Sequence, residues 1–108
     1  MPTYNKLVRD KIPHIIRSSG KECRTRILNP DEYKQELRTK LQEELYEYLS
    51  AVSDQEALEE LADMLEVIRG LAEGHGADPV QLDNLCAAKS EARGGFGERV
   101  YLIDVDEA

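Results

Sequence analysis

Basic residues are in short supply in this chain: 14 Lys and Arg stand against 22 Asp and Glu, a formal charge of -8. General binders of nucleic acid or of anionic membranes need a basic surface, so neither class fits. Long apolar runs are missing too, which removes a membrane-spanning helix, and the opening MPTYNKLVRDKIP lacks the apolar core of a secretory signal. A soluble cytoplasmic protein is expected. Cysteine is sparse: Cys23 and Cys86, 63 positions apart, form no CxxC and have no paired histidine spacing, which argues against a zinc site or a disulfide framework. The two histidines, His14 and His75, stand at no ligand or triad spacing, so serine or cysteine nucleophile chemistry lacks support. Internal repeats, low-complexity tracts and an interdomain linker are absent, and 108 residues suit one domain with a modest core.

What is present is a run of helix signals. In the stretch Tyr4 to Ser19, Asp10 is placed to cap a short helix with Pro13 in its first turn and Gly20 after its end. Asn29, Pro30, Asp31 and Glu32 supply a cap, a first-turn proline and acids for a long helix to about Val52. Ser53 and Glu56 have capping-box spacing and open a second long helix that continues through Leu71 and stops at Gly74 to Gly76. So short a link predicts antiparallel neighbours. Asp78, Pro79 and Gln81 repeat the start signal for a helix to roughly Arg93, broken by Gly94 and Gly95. Glu22 to Leu28 and Glu98 to Val105 read as short strands that pair in a small terminal ribbon. The expected fold class is all-α, an antiparallel helix bundle with that ribbon at its edge.

The chemistry lies in two acidic clusters, Glu43, Glu44 and Glu47 on the first long helix and Glu60 with Asp63 on the second. Leu37, Leu41, Leu45, Tyr48 and Val52 mark the apolar face of the first, with the three glutamates bordering it. On the second, Leu58, Leu61, Leu65, Ile68 and Ala72 form the stripe expected to be buried, joined by Met64 and Leu71. Glu60 projects between Met64, Val67 and Leu71, a costly place for a lone carboxylate, whereas Glu59 and Glu66 fall on the solvated arc. Acid-rich helices are common, and such residues can simply solubilise a bundle or pair with Lys34, Arg38 and Lys40. The position of Glu60 favours the other reading, a hard cation such as Mg2+ or Mn2+ held between the helices.

The pattern Glu43-Glu44-x-x-Glu47, twelve residues, then Glu60-x-x-Asp63, resembles the metal signature of the all-alpha nucleoside triphosphate pyrophosphohydrolases, the MazG-like superfamily. YNKLVRDKIP at 4 to 13 and KSEARGGF at 89 to 96 resemble its branch of housecleaning pyrophosphatases, so the likeness spans nearly the whole chain. The resemblance implies cleavage between the α and β phosphates to give nucleoside monophosphate and pyrophosphate. It implies Glu44, Glu47, Glu60 and Asp63 as Mg2+ ligands and Glu43 as the residue that positions or deprotonates the attacking water. It also leaves room for phosphoribosyl-ATP as substrate. A rival outside enzymology is a helical interaction module that offers the acidic face to a basic partner.

Outer phosphates and the leaving pyrophosphate need cations. Lys6 and Arg9 in the first segment, Lys40 one turn before the glutamates, and Lys89 and Arg93 on the third long helix are the candidates. Each has a plainer alternative: Lys40 as an ion-pair partner of the acids, Lys89 and Arg93 as snorkelling side chains at a helix end that continue the otherwise buried row of Leu82 and Cys86. Gly94 to Gly97 around Phe96 is a weak glycine-rich signal. Finally, a Leu-rich helix pair in so short a chain predicts a homodimer or higher even assembly.

Overall fold

The computed structural model describes residues 2–107 and contains four helices, with no strand among the described residues. They are α1 (Ile12–Ser18), α2 (Pro30–Ser50), α3 (Asp54–Gly74) and α4 (Pro79–Arg93). The all-helical class holds, while the expected pairing of 22–28 with 98–105 does not form. A two-stranded ribbon stands only if packing supports it, and both segments lie open to solvent.

Local chemistry explains the helix starts. Asn29 Oδ1 accepts from the Glu32 amide at 2.9 Å and the Glu32 carboxylate accepts from the Asn29 amide at 3.3 Å, a complete capping box with Pro30 behind it. Glu32 also holds Arg26 at 2.9 Å, and that hydrogen bond, with the Asn29 amide, keeps its carboxyl below the usual range. Asp78 and Gln81 make the same reciprocal box at 2.8 Å each for α4. Ser53 caps α3 through the Glu56 amide, but the Glu56 side chain reaches one residue further back, to the Val52 amide. At α1 the expectation is off by one: Lys11, not Asp10, occupies the cap and offers no side-chain bond. The first long helix ends at Ser50 rather than Val52, because Ala51 is already extended at ψ 139.

α2 and α3, of 21 residues each, form an antiparallel hairpin about 30 Å long joined by residues 51–53. α4 packs on α3, and among the described residues α1 packs closely on no other helix. At Gly70 the two long helices approach closely: a methyl group there would stand 3.3 Å from Leu37 Cδ1 and from the Tyr33 hydroxyl. No described helix is long and apolar enough to cross a membrane.

The core is small. Leu37 and Val67 are the buried hydrophobic residues, and no large side chain is completely enclosed. Leu58, Leu61, Leu65 and Ile68, the stripe expected to be buried, are 36–63% exposed. Leu45 of α2 and Val52 of the link are exposed as well, and so is Cys86 on α4. The reason is geometric. At about 100° per residue, Glu60, Met64, Val67 and Leu71 share one side of α3, and the Leu58 to Ile68 row lies roughly 110° around. A single partner helix covers one of these faces, and α2 covers the first. The radius of gyration is 18.6 Å with a longest extent of 64 Å, against about 13 Å expected for a compact domain of this length.

Candidate metal centre

The same arithmetic sets the acids. Taking Leu37 as the origin on α2, Leu41 lies at about 40°, Tyr48 at about 20° and Glu44 at about -20°, while Leu45 is out at about 80°. Glu44 therefore sits on the row that meets α3, and it is 8% exposed. Glu60 occupies the matching place on α3, in line with Met64, Val67 and Leu71. Two carboxylates consequently confront each other within the hairpin's own contact surface.

Glu44, Glu47 and Glu60 each present a carboxylate oxygen within 4.8 Å of the other two. Glu44 Oε2 and Glu60 Oε2 are shielded from solvent and have no hydrogen-bond partner. Neighbouring Glu44 and Glu47, which can accept a hydrogen bond from a protonated Glu60, push the Glu60 pKa up to about 7, with desolvation adding to the rise. Burial is the main cause that raises Glu44, and the charges of Glu47 and Asp63 act in the same direction. A protonated Glu60 able to donate to Glu44, and the Lys40 ammonium, oppose that rise. A proton shared by the pair is what a metal-free gap of this kind requires.

A divalent ion answers the same requirement. Ligands of Mg2+ stand about 3 Å apart when adjacent and about 4.2 Å apart when opposite, so three oxygens within 4.8 Å of one another are in reach of one ion after side-chain adjustment. The donor set is all carboxylate, which suits Mg2+ or Mn2+ and not a soft metal. These residues therefore fit the expected cation.

The other predicted site residues are distributed around this gap. Asp63 lies outside the three-oxygen cluster, and its Oδ1 accepts from Arg9 Nη2 at 2.7 Å, which ties the first segment to α3 across 54 positions. Its charge is nonetheless felt by Glu44. Glu43 is exposed and faces Lys40, whose Nζ is 3.8 Å from its carboxylate. Lys6 lies over the Tyr4 ring, 5.6 Å from the centroid, and is not brought to the acids. Lys89 and Arg93 are exposed on α4, away from a buried face. Glu59 meets only Gln55 within its own helix, as a solvated residue should. Sequence reasoning placed Glu44 at the border of the core, and the structure buries it within the contact face.

No protein-family model matches the chain. No solved structure matches it either. A protein of Mycolicibacterium smegmatis, named only as uncharacterized, is 46% identical over 54 residues, which is 50% of this chain and 55% of that protein. The chain thus matches about half the length of this curated relative, and the likeness is to a protein whose name states no activity.

Proposed function

We propose that the chain is a Mg2+-dependent nucleoside triphosphate pyrophosphohydrolase of MazG-like type, cleaving between the α and β phosphates to clear modified or damaged nucleotides. The observation that carries this reading is the pair of partnerless, shielded oxygens, Glu44 Oε2 and Glu60 Oε2, facing one another beside Glu47. A protein that used its acids only for solubility would turn them outward, as it does Glu59 and Glu66. A bound Mg2+ or Mn2+ supplies charge for the triphosphate oxygens and a lowered pKa for water.

In this reading Glu44, Glu47 and Glu60 would hold the ion, and Asp63 would join them only if freed from Arg9. Glu43, exposed beside Lys40, orients the attacking water or takes its proton. Arg9, once released from Asp63, and Lys40, close to Glu44, meet the outer phosphates together with Lys6. Lys89 and Arg93 would reach them only with movement of α4. The exposed Leu58, Leu61, Leu65 and Ile68 row is the surface for a second copy, which completes a four-helix core in a homodimer or higher even assembly.

A screen of normal and modified nucleoside triphosphates, and of phosphoribosyl-ATP, with pyrophosphate detection tests the reaction. Release should require Mg2+ or Mn2+ and vanish in Glu60→Ala with its helices intact. Undiminished release in that variant would remove the assignment.

A further inference from the structure

Charge divides this chain at residue 29. Residues 1–29 hold 7 Lys and Arg against 2 Asp and Glu, and the rest of the chain holds 7 against 20. The basic stretch is loosely held. Among the described residues none of 2–29 is buried, α1 packs closely on no other helix, and Leu7, Val8 and Ile12 are only half-buried. For residues 2–20, the one side-chain hydrogen bond to the hairpin among the described residues runs from Arg9 Nη2 to Asp63 Oδ1, at 2.7 Å.

Asp63 is no ordinary surface anchor. It stands one helical turn after Glu60, and its charge helps to raise the Glu44 carboxyl. Arg9 therefore bonds an acid that the gap feels. A divalent cation among Glu44, Glu47 and Glu60 would act on this contact in two ways. As a further ligand, Asp63 would turn its oxygens from the guanidinium. Left unbound, it would still lie close to a double positive charge that repels Arg9. The pair is well exposed on both sides, so its closed form is favoured only severalfold, and competition of that size is enough to open it.

We propose, building on the cation reading of the gap, that residues 2–11 form an ion-responsive latch: Arg9 holds Asp63 while the gap is metal-free and gives it up when a divalent cation sits among Glu44, Glu47 and Glu60. Linkage makes the coupling reciprocal, so the closed latch also weakens ion binding. Release frees a segment carrying Lys6, Arg9 and Lys11 for an anion that reaches the ion. Ion binding then precedes and favours anion binding.

The test titrates the isotope-labelled, metal-free chain with MgCl2, and in parallel with KCl of equal ionic strength. Nuclear magnetic resonance reads the glutamate carboxyls, the Arg9 Nε–H signal and the backbone heteronuclear NOE of residues 5–10. The Glu44, Glu47 and Glu60 carboxyl signals should shift with Mg2+. At the same midpoint the Arg9 signal should move toward its position in Asp63→Asn and the NOE should fall, with the open population rising about fivefold. KCl should leave the latch closed. In Glu60→Ala, which keeps Arg9 and Asp63, Mg2+ should no longer open it. Carboxyl shifts with the segment unchanged, opening by KCl as strong as by MgCl2, or opening that survives in Glu60→Ala overturns the latch and leaves the cation reading standing. No response of the carboxyls or the segment overturns both.

Discussion

α3 has two faces, and they defy the usual sorting of polar from apolar. The inner face holds a half-buried carboxylate, Glu60, with one oxygen shielded, in line with Met64, Val67 and Leu71, while the outer face leaves Leu58, Leu61, Leu65 and Ile68 in contact with water. The inner face is electrostatically incomplete and the outer one is hydrophobically incomplete. Each defect names what would mend it, a cation for the first and an apolar surface for the second. One helix thus separates proposed chemistry from proposed assembly by roughly 110° of rotation.

The sharpest break of that comparison is on the inner face. Glu60→Ala should weaken Mg2+ binding by about 100-fold or more, since even loss of an outer-shell partner costs 10–100-fold. Calorimetric titration measures it. On the outer face, Leu61→Lys with Leu65→Lys should dissociate the proposed assembly while helicity and Mg2+ binding stay in place. Full burial of a leucine contributes about 1.5–3 kcal/mol, so the pair should shift the association constant by two orders of magnitude or so, visible in sedimentation. Loss of metal binding in that variant would show that the two faces are not independent.

A subtler separation uses pH. Glu60 is raised to about 7 in the folded chain from 4.5. A carboxyl with a raised folded pKa binds more protons folded than unfolded, so stability falls as pH rises through the window from 4.5 to 7. The melting temperature of the metal-free chain should therefore drop between pH 5 and 8 from this group, Glu60→Gln should flatten the drop, and Mg2+ should reverse it. Ion binding near pH 6 should also release close to one proton, falling away by pH 8, which titration in buffers of different ionisation enthalpy reads directly.

The smallest effect belongs to the strap between the first segment and α3. Arg9 and Asp63 are both well exposed, so Arg9→Ala should cost under about 1 kcal/mol of stability. By freeing Asp63 it should tighten Mg2+ binding severalfold in the same titrations.

The helices of this fold were legible because their signals are local. Asn29 with Glu32 and Asp78 with Gln81 are read three residues apart, and both boxes form as spaced. The faces were less legible, since apolarity does not say how many partners a helix has. Leu45 and Val52 drew attention by being apolar, although Glu44 lies nearer the axis of contact. The carboxylates that meet were readable from their spacing, while the capture of Asp63 by Arg9 depends on where the first segment crosses α3, which no local rule gives. The pairing of 22–28 with 98–105 followed from composition alone, and composition does not say whether a ribbon finds the packing it needs.

The turn at 51–53 has a temporal consequence. Every carboxylate of the acidic gap lies between Glu44 and Glu60, on two helices joined by three residues, so the gap needs only local contacts and belongs to the fast-forming part of the chain. In refolding it can close before α4 or residues 98–105 find their places. Ion capture thereby becomes available to the folding hairpin ahead of any meeting between chains.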